Sequence, residues 1–517
     1  MKYLTVIYYW WILFAVYISS AQPVLSNKDF NNLYAIIPDF QVNVNSFISN
    51  ASQVASSITT DSSGNFIITW GDDRNGDGNI YAQRYLSNGT ALDSNFQVND
   101  DASSAWQDNP SISADIIGNF VIAWEDERNG QWIGDIYAQR YASNGTALGS
   151  NFIVNDDQGN EYQHCPSITT DGGGNFIITW EDARNGGLSP DIYTQRYLSN
   201  GTAVGGNFKV NDDAGSARQR TPSISADDNG NFVISWGDDR NGNADIYAQR
   251  YASDGTAIDS NFKVNYDVGS AWQGEPSISA DSSGNFNIIW IDGRTGNYYI
   301  YVQRYASNGT ALGSNFKVNV DLSNPRHCYH SISADDNGNF IIIWQNEHNN
   351  NLDIYAQRYL SDGSALGNIF RSTKTSEGDQ FEPDVELLNG RIYNTWTDDR
   401  DGRTGDDIWA NVLNWNDPIG ATEKEISSRP KEFHLNQNYP NPFNPSTTIQ
   451  FDLPKTGQVT LKVFNVLGEE LATLVSNRLP AGSYSYEWDA SSLASGVYLY
   501  RLQAGDYVET RKMVMMK

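Results

Sequence analysis

An aspartate two residues after a tryptophan and an arginine four residues after it recur along the chain, as WEDERNG at 124–130, WEDARNG at 180–186 and WGDDRNG at 236–242. A further aspartate opens the phrase DIY, so Asp126–Arg128–Asp135, Asp182–Arg184–Asp191 and Asp238–Arg240–Asp245 are copies of one acid–base–acid pattern. Two chemistries fit it. Guanidiniums presented in a ring would clamp an acidic sugar or another carboxylate in bidentate fashion. Alternatively, each arginine closes its own loop by ion pairs to the flanking aspartates. Repetition favours the second, because a catalytic centre needs a few groups in unlike environments, while a side chain present in every copy serves what every copy needs. These nine residues are therefore expected to be structural loop ties. A glutamine that recurs at 53, 107, 163, 219, 273 and 380 is expected to serve the scaffold too, for example through hydrogen bonds to backbone at the channel mouth.

Individual chemistry must come from positions where the copies differ. Trp106, Tyr162 and Trp272 precede a copy, and Trp132 and Tyr298 lie inside acidic loops. Aromatics on a polar face suit stacking on sugar rings or on partner surfaces, with packing between loops as the alternative. The sixth copy departs most: His327 replaces the glutamine, His348 the arginine and Asn346 the aspartate, with Cys328 and His330 beside them. His327 and His348 join the ligand-binding candidates. His327, His330 and His348 would suit Zn²⁺ or Cu²⁺, but drift of one copy explains them equally and no metal is assigned. GDDRNGDGN (71–79) and TDDRDGRTGDD (397–407) carry oxygen ligands of the kind Ca²⁺ takes, without EF-hand spacing. Ca²⁺ stays open and no cofactor is assigned. There is no nucleophile elbow, P-loop, HExxH, CxxC pair or dinucleotide fingerprint, and no catalytic residue is assigned.

The elements that carry these residues form a repeat. Its tryptophans stand at 70, 124, 180, 236, 290, 344 and 396, with spacings between 52 and 56. One unit reads PSIS, a turn, NFVISW, the acidic loop, DIYAQRYAS, an Asp-Gly turn and TAIDSNFKVN. Alternating apolar residues and Asn-Gly or Asp-Gly turns predict four antiparallel strands per unit. Seven such units predict a seven-bladed β-propeller over 38–414. The last unit lacks the outer-strand phrase, which appears instead at 39–45 as DFQVNVN, so an N-terminal strand is expected to complete the seventh blade and close the ring. The acidic loops and the inter-blade loops then share one face, where ligands are expected. The repeat wording resembles that of large, mostly uncharacterised exported bacterial proteins. SADDNGNF is similar to the Asp-box hairpin of sialidase-like propellers but carries an extra residue. Neither resemblance brings an activity.

The chain has 517 residues and a formal charge of −28, which argues against nucleic acid and anionic membrane surfaces as partners. Lys2, the apolar stretch Leu4–Ile18 and the small residues Ser19 and Ala21 predict a signal peptide cleaved between Ala21 and Gln22. No other segment is long and apolar enough to span a membrane. Cys165 and Cys328 lie in different repeats and are expected to be free thiols.

Past 414 the text changes. Residues 415–432 read as a linker, and 433–517 alternate as a small Ig-like β-sandwich. NYPNPFNPST (438–447, with Asn438, Pro440, Asn441 and Pro442), VFNVLGEE (463–470, with Gly468), AGSY (481–484, with Gly482), SGVYLYRL (495–502, with Gly496) and the terminal KMVMMK (Lys512–Lys517) stand in order. On these motifs the segment closely resembles the type A C-terminal sorting domain of the type IX secretion system. The resemblance implies a Gram-negative bacterium, contact with the secretion machinery, and delivery to the cell surface or the medium. Seven bases and seven acids leave 434–517 neutral, so the whole −28 belongs to the cargo. The propeller is expected to bind a glycan or a surface protein rather than to act as an enzyme; the alternative is a secreted glycan-active hydrolase or lyase. Deleting 433–517 should strand the protein in the periplasm, as read by cell fractionation; unchanged arrival at the surface would contradict the sorting assignment.

Overall fold

In the repeat phrase NFxIxW, side chains of both parities are buried, and this decides the architecture. On FIITW (66–70), Phe66, Ile68 and Trp70 pack with Tyr393, Ile408 and Val412, near the chain's other end, while Ile67 packs with Ile80 and Val98 against Phe120, Ile122 and Trp124. A strand buried on both faces needs a sheet on each side. Repeated around the chain, that requirement produces a ring of sheets in which every tryptophan of the repeat is fully buried. Burying ~150–250 Å² per tryptophan at about 25 cal/mol/Å² contributes roughly 4–6 kcal/mol to each blade interface, as an upper bound.

The computed structural model describes residues 35–43, 51–101, 104–130, 133–157, 159, 161–186, 189–267, 269–319, 329–348, 351–400, 405–416, 433–438, 440–454, 457–479, 482–491, 493–505 and 507–516. The expected signal peptide with Ala21 and Gln22, most of the linker, Trp132, His327, Cys328 and Lys517 fall outside these residues, as does the side chain of His348. The chain is all-β: a seven-bladed propeller of four-stranded antiparallel sheets, followed by a two-sheet β-sandwich. In blade one the order from the axis outward is Gln53–Thr60, Phe66–Asp72, Asn79–Tyr85 and Ala91–Gln97. The first hairpin of that blade turns on Asp61, whose carboxylate accepts from the Ser63 and Asn65 backbone N–H groups at 2.8 and 3.0 Å, while Gly64 supplies the positive φ of +78°. Among the described residues no helix is long and apolar enough to cross a membrane.

Blade seven is built from Gln380–Leu388, Arg391–Asp398, Asp407–Asn414 and, outermost, Ala35–Gln41. The N-terminal strand pairs antiparallel with Asp407–Asn414, placing Ala35 opposite Leu413 and Gln41 opposite Trp409. Asn43 then does for this blade what Asn99 does for blade one. Its carbonyl oxygen accepts from the Ile408 N–H (2.8 Å), and its amide donates to Gln53 and Asp407, both at 2.7 Å. On the opposite face an arginine of the third strand in blades one to five reaches the next blade's outer turn: Arg84 donates to the carbonyls of Ser143 and Asn144, Arg140 to that of Ser199.

Blade seven also differs along the axis. At the two inner-strand positions where its neighbours carry serine or threonine it places Asp384 and Glu386. Asp384 accepts from Ser331 of blade six (2.6 Å) and from Ser57 and the Ile58 N–H of blade one (3.1 and 3.0 Å), so it ties both sides of the ring's closure. Glu386 accepts from Ser333 at 3.3 Å. Both are half-buried. Burial, with the Asp384 charge added, pushes the Glu386 carboxyl up to about 8.

The sandwich pairs a three-stranded sheet (His434–Leu435, Ser446–Leu453, Gly482–Asp489) with a four-stranded one (Glu470–Leu479, Gly457–Asn465, Gly496–Ala504, Tyr507–Met515). Alternate residues Val459, Leu461 and Val463 meet Leu435, Phe451 and Trp488 in its core. Asn438 is buried; its N–H donates to the Tyr500 hydroxyl (2.9 Å) and its amide to Thr447 (2.9 Å) and the Pro440 carbonyl (3.1 Å). The Asn441 side chain accepts from the Val514 N–H at 2.9 Å, fastening the NPFNP segment to the last strand, which includes Lys512. Pro442 follows a cis peptide bond, Gly468 turns one hairpin at φ +82°, and Gly482 and Gly496 open strands.

A carboxyl held protonated by the fold costs stability once the unfolded chain can ionise. Below the ordinary glutamate range both states carry the proton and Glu386 costs nothing; as pH rises toward 8 the native ring loses stability relative to the unfolded chain. Glu386→Gln should abolish that decline, so the variant's advantage in denaturant unfolding should grow from pH 5 to pH 8. A constant difference across this range would contradict the assignment.

Candidate functional site

The recurrent aspartate is the hub of each loop. Asp126 is fully buried and accepts from the Trp124 indole (2.9 Å) and from the Arg128 backbone N–H, Nε and Nη2 (2.9, 2.9 and 2.6 Å). Asp182 binds Trp180 and Arg184 in the same manner, and Asp238 binds Trp236 and Arg240. Each guanidinium also lies over a tyrosine of the third strand, Arg128 4.1 Å from the centre of Tyr137 and Arg240 4.2 Å from that of Tyr247. Arginines held at this many points do not form an open ring for an acidic sugar.

The second aspartate does not pair with the arginine. Asp135 accepts from Asn129 and Asn155, both at 2.7 Å; Asp191 pairs with Lys209 (2.6 Å) and Asp245 with Lys263 (2.7 Å). The arginine's other carboxylate comes from the inter-blade loop: Asp100, Asp156 and Asp212 meet Arg128, Arg184 and Arg240. Asp135 instead meets Asn155, just past the outer strand, whereas Asp100 is delivered beside Arg128 by the preceding blade. The recurrent glutamine differs from expectation as well. It is buried and bonds side chains: Gln107 accepts from Asn99 of the preceding blade (2.9 Å) and donates to Asp126 of its own (3.4 Å). Gln380 also reaches backbone, at Thr375 and Glu377.

The aromatic candidates form separate groups. Trp106 is half exposed and lies over Gly78. Tyr162 packs on His164, ring centres 4.7 Å apart. Trp272 and Tyr298 meet edge to face at 5.6 Å, Tyr298 half exposed over Gly293. Of the sixth-blade residues, His330 lines the central channel opposite Trp344. In 71–79, Asp72 is taken by Trp70 and Arg74, and Asp73 accepts from the Ser52 N–H. Among the described residues no group of three or more His, Cys, Asp or Glu side chains is arranged to hold a metal ion.

Sequence reasoning missed the residues that ring the channel mouth. The channel encloses about 600 Å³ and is lined by one tripeptide from the inner strand of each blade. The first residue of each tripeptide is Ala55, Asn109, Cys165, Thr221, Glu275, Tyr329 or Glu382, so six residue types fill seven equivalent places. All but Tyr329 hold a positive φ, between +49° and +54°, at a bulge where the strand slips register against its neighbour. Carboxylates and one amide brace the backbone there from adjoining residues. The Ala55 N–H donates to Glu382 (3.0 Å), that of Cys165 to Glu125 (2.7 Å), that of Thr221 to Glu181 (2.6 Å) and that of Glu382 to Gln345 (2.9 Å).

These acids sit in unlike environments. Burial raises Asp108, Glu181 and Glu382 above the ordinary carboxyl range. Burial alone would lower the His164 imidazole, but its 2.8 Å bond to Glu125 and that carboxylate's charge carry it above its usual value. Cys165 is a free thiol, pushed well up by burial and by Glu181 and Glu125, so it stays protonated and is a poor nucleophile. The signal available in sequence was the columns that vary when the repeats are laid over one another: the two residues after the recurrent glutamine and the one after the tryptophan.

Residues 437–516 match the family model of the secretion system C-terminal sorting domain. No curated protein matches the chain. Solved structures similar to it include a protein of unknown function from Dyadobacter fermentans, 11% identical over 74% of this chain and 99% of that one with a TM-score of 0.45. Another is the α-L-arabinanase of Penicillium chrysogenum complexed with arabinobiose, 12% identical over 59% and 92% with a TM-score of 0.42. A third is the sialidase of Trypanosoma rangeli, 10% identical over 94% and 87% with a TM-score of 0.40. Likenesses this remote carry nothing about activity or substrate. The C-terminal sandwich is a type IX secretion sorting domain, and it directs the propeller ahead of it to the cell surface or the extracellular space.

Proposed function

We propose that the exported propeller is a carbohydrate-binding module whose ligand, an uncharged glycan, enters the channel mouth. The observation that carries this reading is the ring of unlike residues, Ala55 to Glu382, around a cavity of about 600 Å³ in a protein whose blades otherwise repeat. The cavity is of small-ligand size. Glu275 and Glu382 supply acceptors for sugar hydroxyls, Asn109 and Thr221 supply donors and acceptors, and the half-exposed Tyr329 supplies a ring face. The acidic lining disfavours anionic ligands at this place. The alternative, a glycan hydrolase, draws support from Glu382 and Asp384, two lining carboxyls raised by burial as a general acid must be.

A glycan array probed with the mature chain should return neutral oligosaccharides. Tyr329→Ala and Glu275→Gln should each weaken the best ligand about tenfold by calorimetry, the loss of one stacking or charge-assisted contact, with little change in unfolding temperature. Unchanged affinity in both variants would remove the channel mouth as the site. Release of reducing sugar from the bound ligand, abolished by Glu382→Gln, would favour the hydrolase.

A further inference from the structure

On the outer part of the loop face, blades two, three and four carry a carboxylate that blade five lacks. Asp100, Asp156 and Asp212 each place Oδ1 on an arginine Nη1, at 3.1, 2.8 and 2.7 Å. The second oxygen of Asp100 accepts from the Asn151 backbone N–H at 3.2 Å, and that of Asp156 from the Asn207 N–H at 3.3 Å. The equivalent residue before blade five is Tyr266, which turns outward and is 66% exposed, so its ring does not fill the vacated place. Arg294 keeps its bonds to Asp292, but its Nη1 is left with two contacts at 3.4 Å, to the Tyr266 carbonyl and the Asn315 side chain. The enclosed Nδ2 of Asn315 has no partner among the described residues, whereas its counterpart in blade two donates to Gln139 at 2.8 Å.

Around this place a cleft opens, lined by Tyr266, Asp267, Ser270, Arg294 and Thr295, and Tyr266 also borders a second cleft running between blades four and five. Asp267 does not bar an anion. Its counterpart Asp101 stands within 3.8 Å of Arg128 in blade two, where Asp100 is bound as well.

We propose that this cleft is a second binding site, for a glycan bearing a uronic acid. The ligand's carboxylate takes the position that Asp100 occupies in blade two, bonded to Arg294 Nη1 and to the Asn315 N–H. The sugar ring lies against Tyr266, and Ser270 and Thr295 meet its hydroxyls. The exposed ring beside the guanidinium is what favours a sugar over a simple carboxylate, since the place that Tyr266 takes is held by an aspartate in blades two, three and four.

The test uses the mature chain and trigalacturonate, with its methyl ester and sodium acetate as controls, followed by calorimetry. Trigalacturonate should bind, more weakly as salt rises, and the uncharged ester should not. Tyr266→Asp rebuilds the sister blades' own carboxylate and should cut affinity at least about tenfold while the unfolding temperature holds or rises. Tyr266→Ala should lose only the stacking part, a few-fold. Glu382→Gln, at the channel mouth, should leave trigalacturonate binding unchanged, which keeps this site separable from the first. Full binding by Tyr266→Asp, equal binding of the ester, or displacement by acetate at the trisaccharide's own concentration would each overturn the proposal.

Discussion

The buried aspartate two residues beyond the repeat tryptophan, present in six of the seven blades, is the interaction on which the propeller depends. Burying the indole drives the blades together, but it also takes a polar N–H away from water, and that group must be satisfied. Asp126 meets it, and as a buried carboxylate it then needs a cation, which Arg128 supplies along with the fold of the acidic loop. Gln107 brings the hub into contact with Asn99 of the blade before. The hydrophobic interface, the loop and the joint between blades are thus linked through one carboxylate. Blade six shows the effect of its loss: with Asn346 in its place, the buried Trp344 indole N–H has no partner among the described residues. An amide oxygen is a weaker acceptor, and nothing there requires an arginine.

Because the hub is common to the blades, it is the wrong place to look for function. Each arginine that would have formed a clamp is bound by a carboxylate and laid on an aromatic ring, and that is why the ring of guanidiniums is a property of the scaffold. Function belongs where a position is free to differ without disturbing the hub. The channel mouth satisfies this condition, since the bulge at Ala55 and its equivalents lies between the recurrent glutamine and the strand that carries the packing. The place of Asp100 satisfies it too. In blade five the carboxylate there is missing, yet Arg294 keeps its hold on Asp292 and the loop keeps its form.

Strands and turns were legible in the sequence because their causes are local. NFVISW alternates, Asn-Gly and Asp-Gly demand tight hairpins, and the displaced FQVN phrase at 40–43 anticipates a strand that Asn43 locks onto Ile408. Contacts between blades were less legible. Nothing in WEDERNGQWIGDIY says that Asp100, 28 residues before Arg128, is its second carboxylate, or that Asp135 belongs to Asn155. The channel mouth was hidden for a sharper reason. Counting alternate residues back from PSIS assigns faces correctly only while the register holds, and the bulge between Asp108 and Ser111 breaks it. Asn109 and its equivalents were therefore passed over, while histidines and tryptophans drew notice for their chemistry.

That an acidic chain is proposed to capture an acidic sugar needs a physical account. The charge of −28 belongs to residues ahead of 434, but at physiological salt the field of a charge is screened within about 8 Å. What a ligand meets is the local arrangement. In blade two, Arg128 faces Asp126, Asp100 and Asp101, three carboxylates to one guanidinium. In blade five the equivalent group is Arg294 with Asp292 and Asp267, one carboxylate fewer. A bound uronate would restore the balance that the sister blades hold permanently, so the site asks of a ligand no more negative charge than the fold already tolerates three times over. The channel mouth offers no such deficit: its acids are raised by burial and by one another. The two proposed sites would thus select opposite chemistries, because one is defined by a carboxylate removed and the other by carboxylates added.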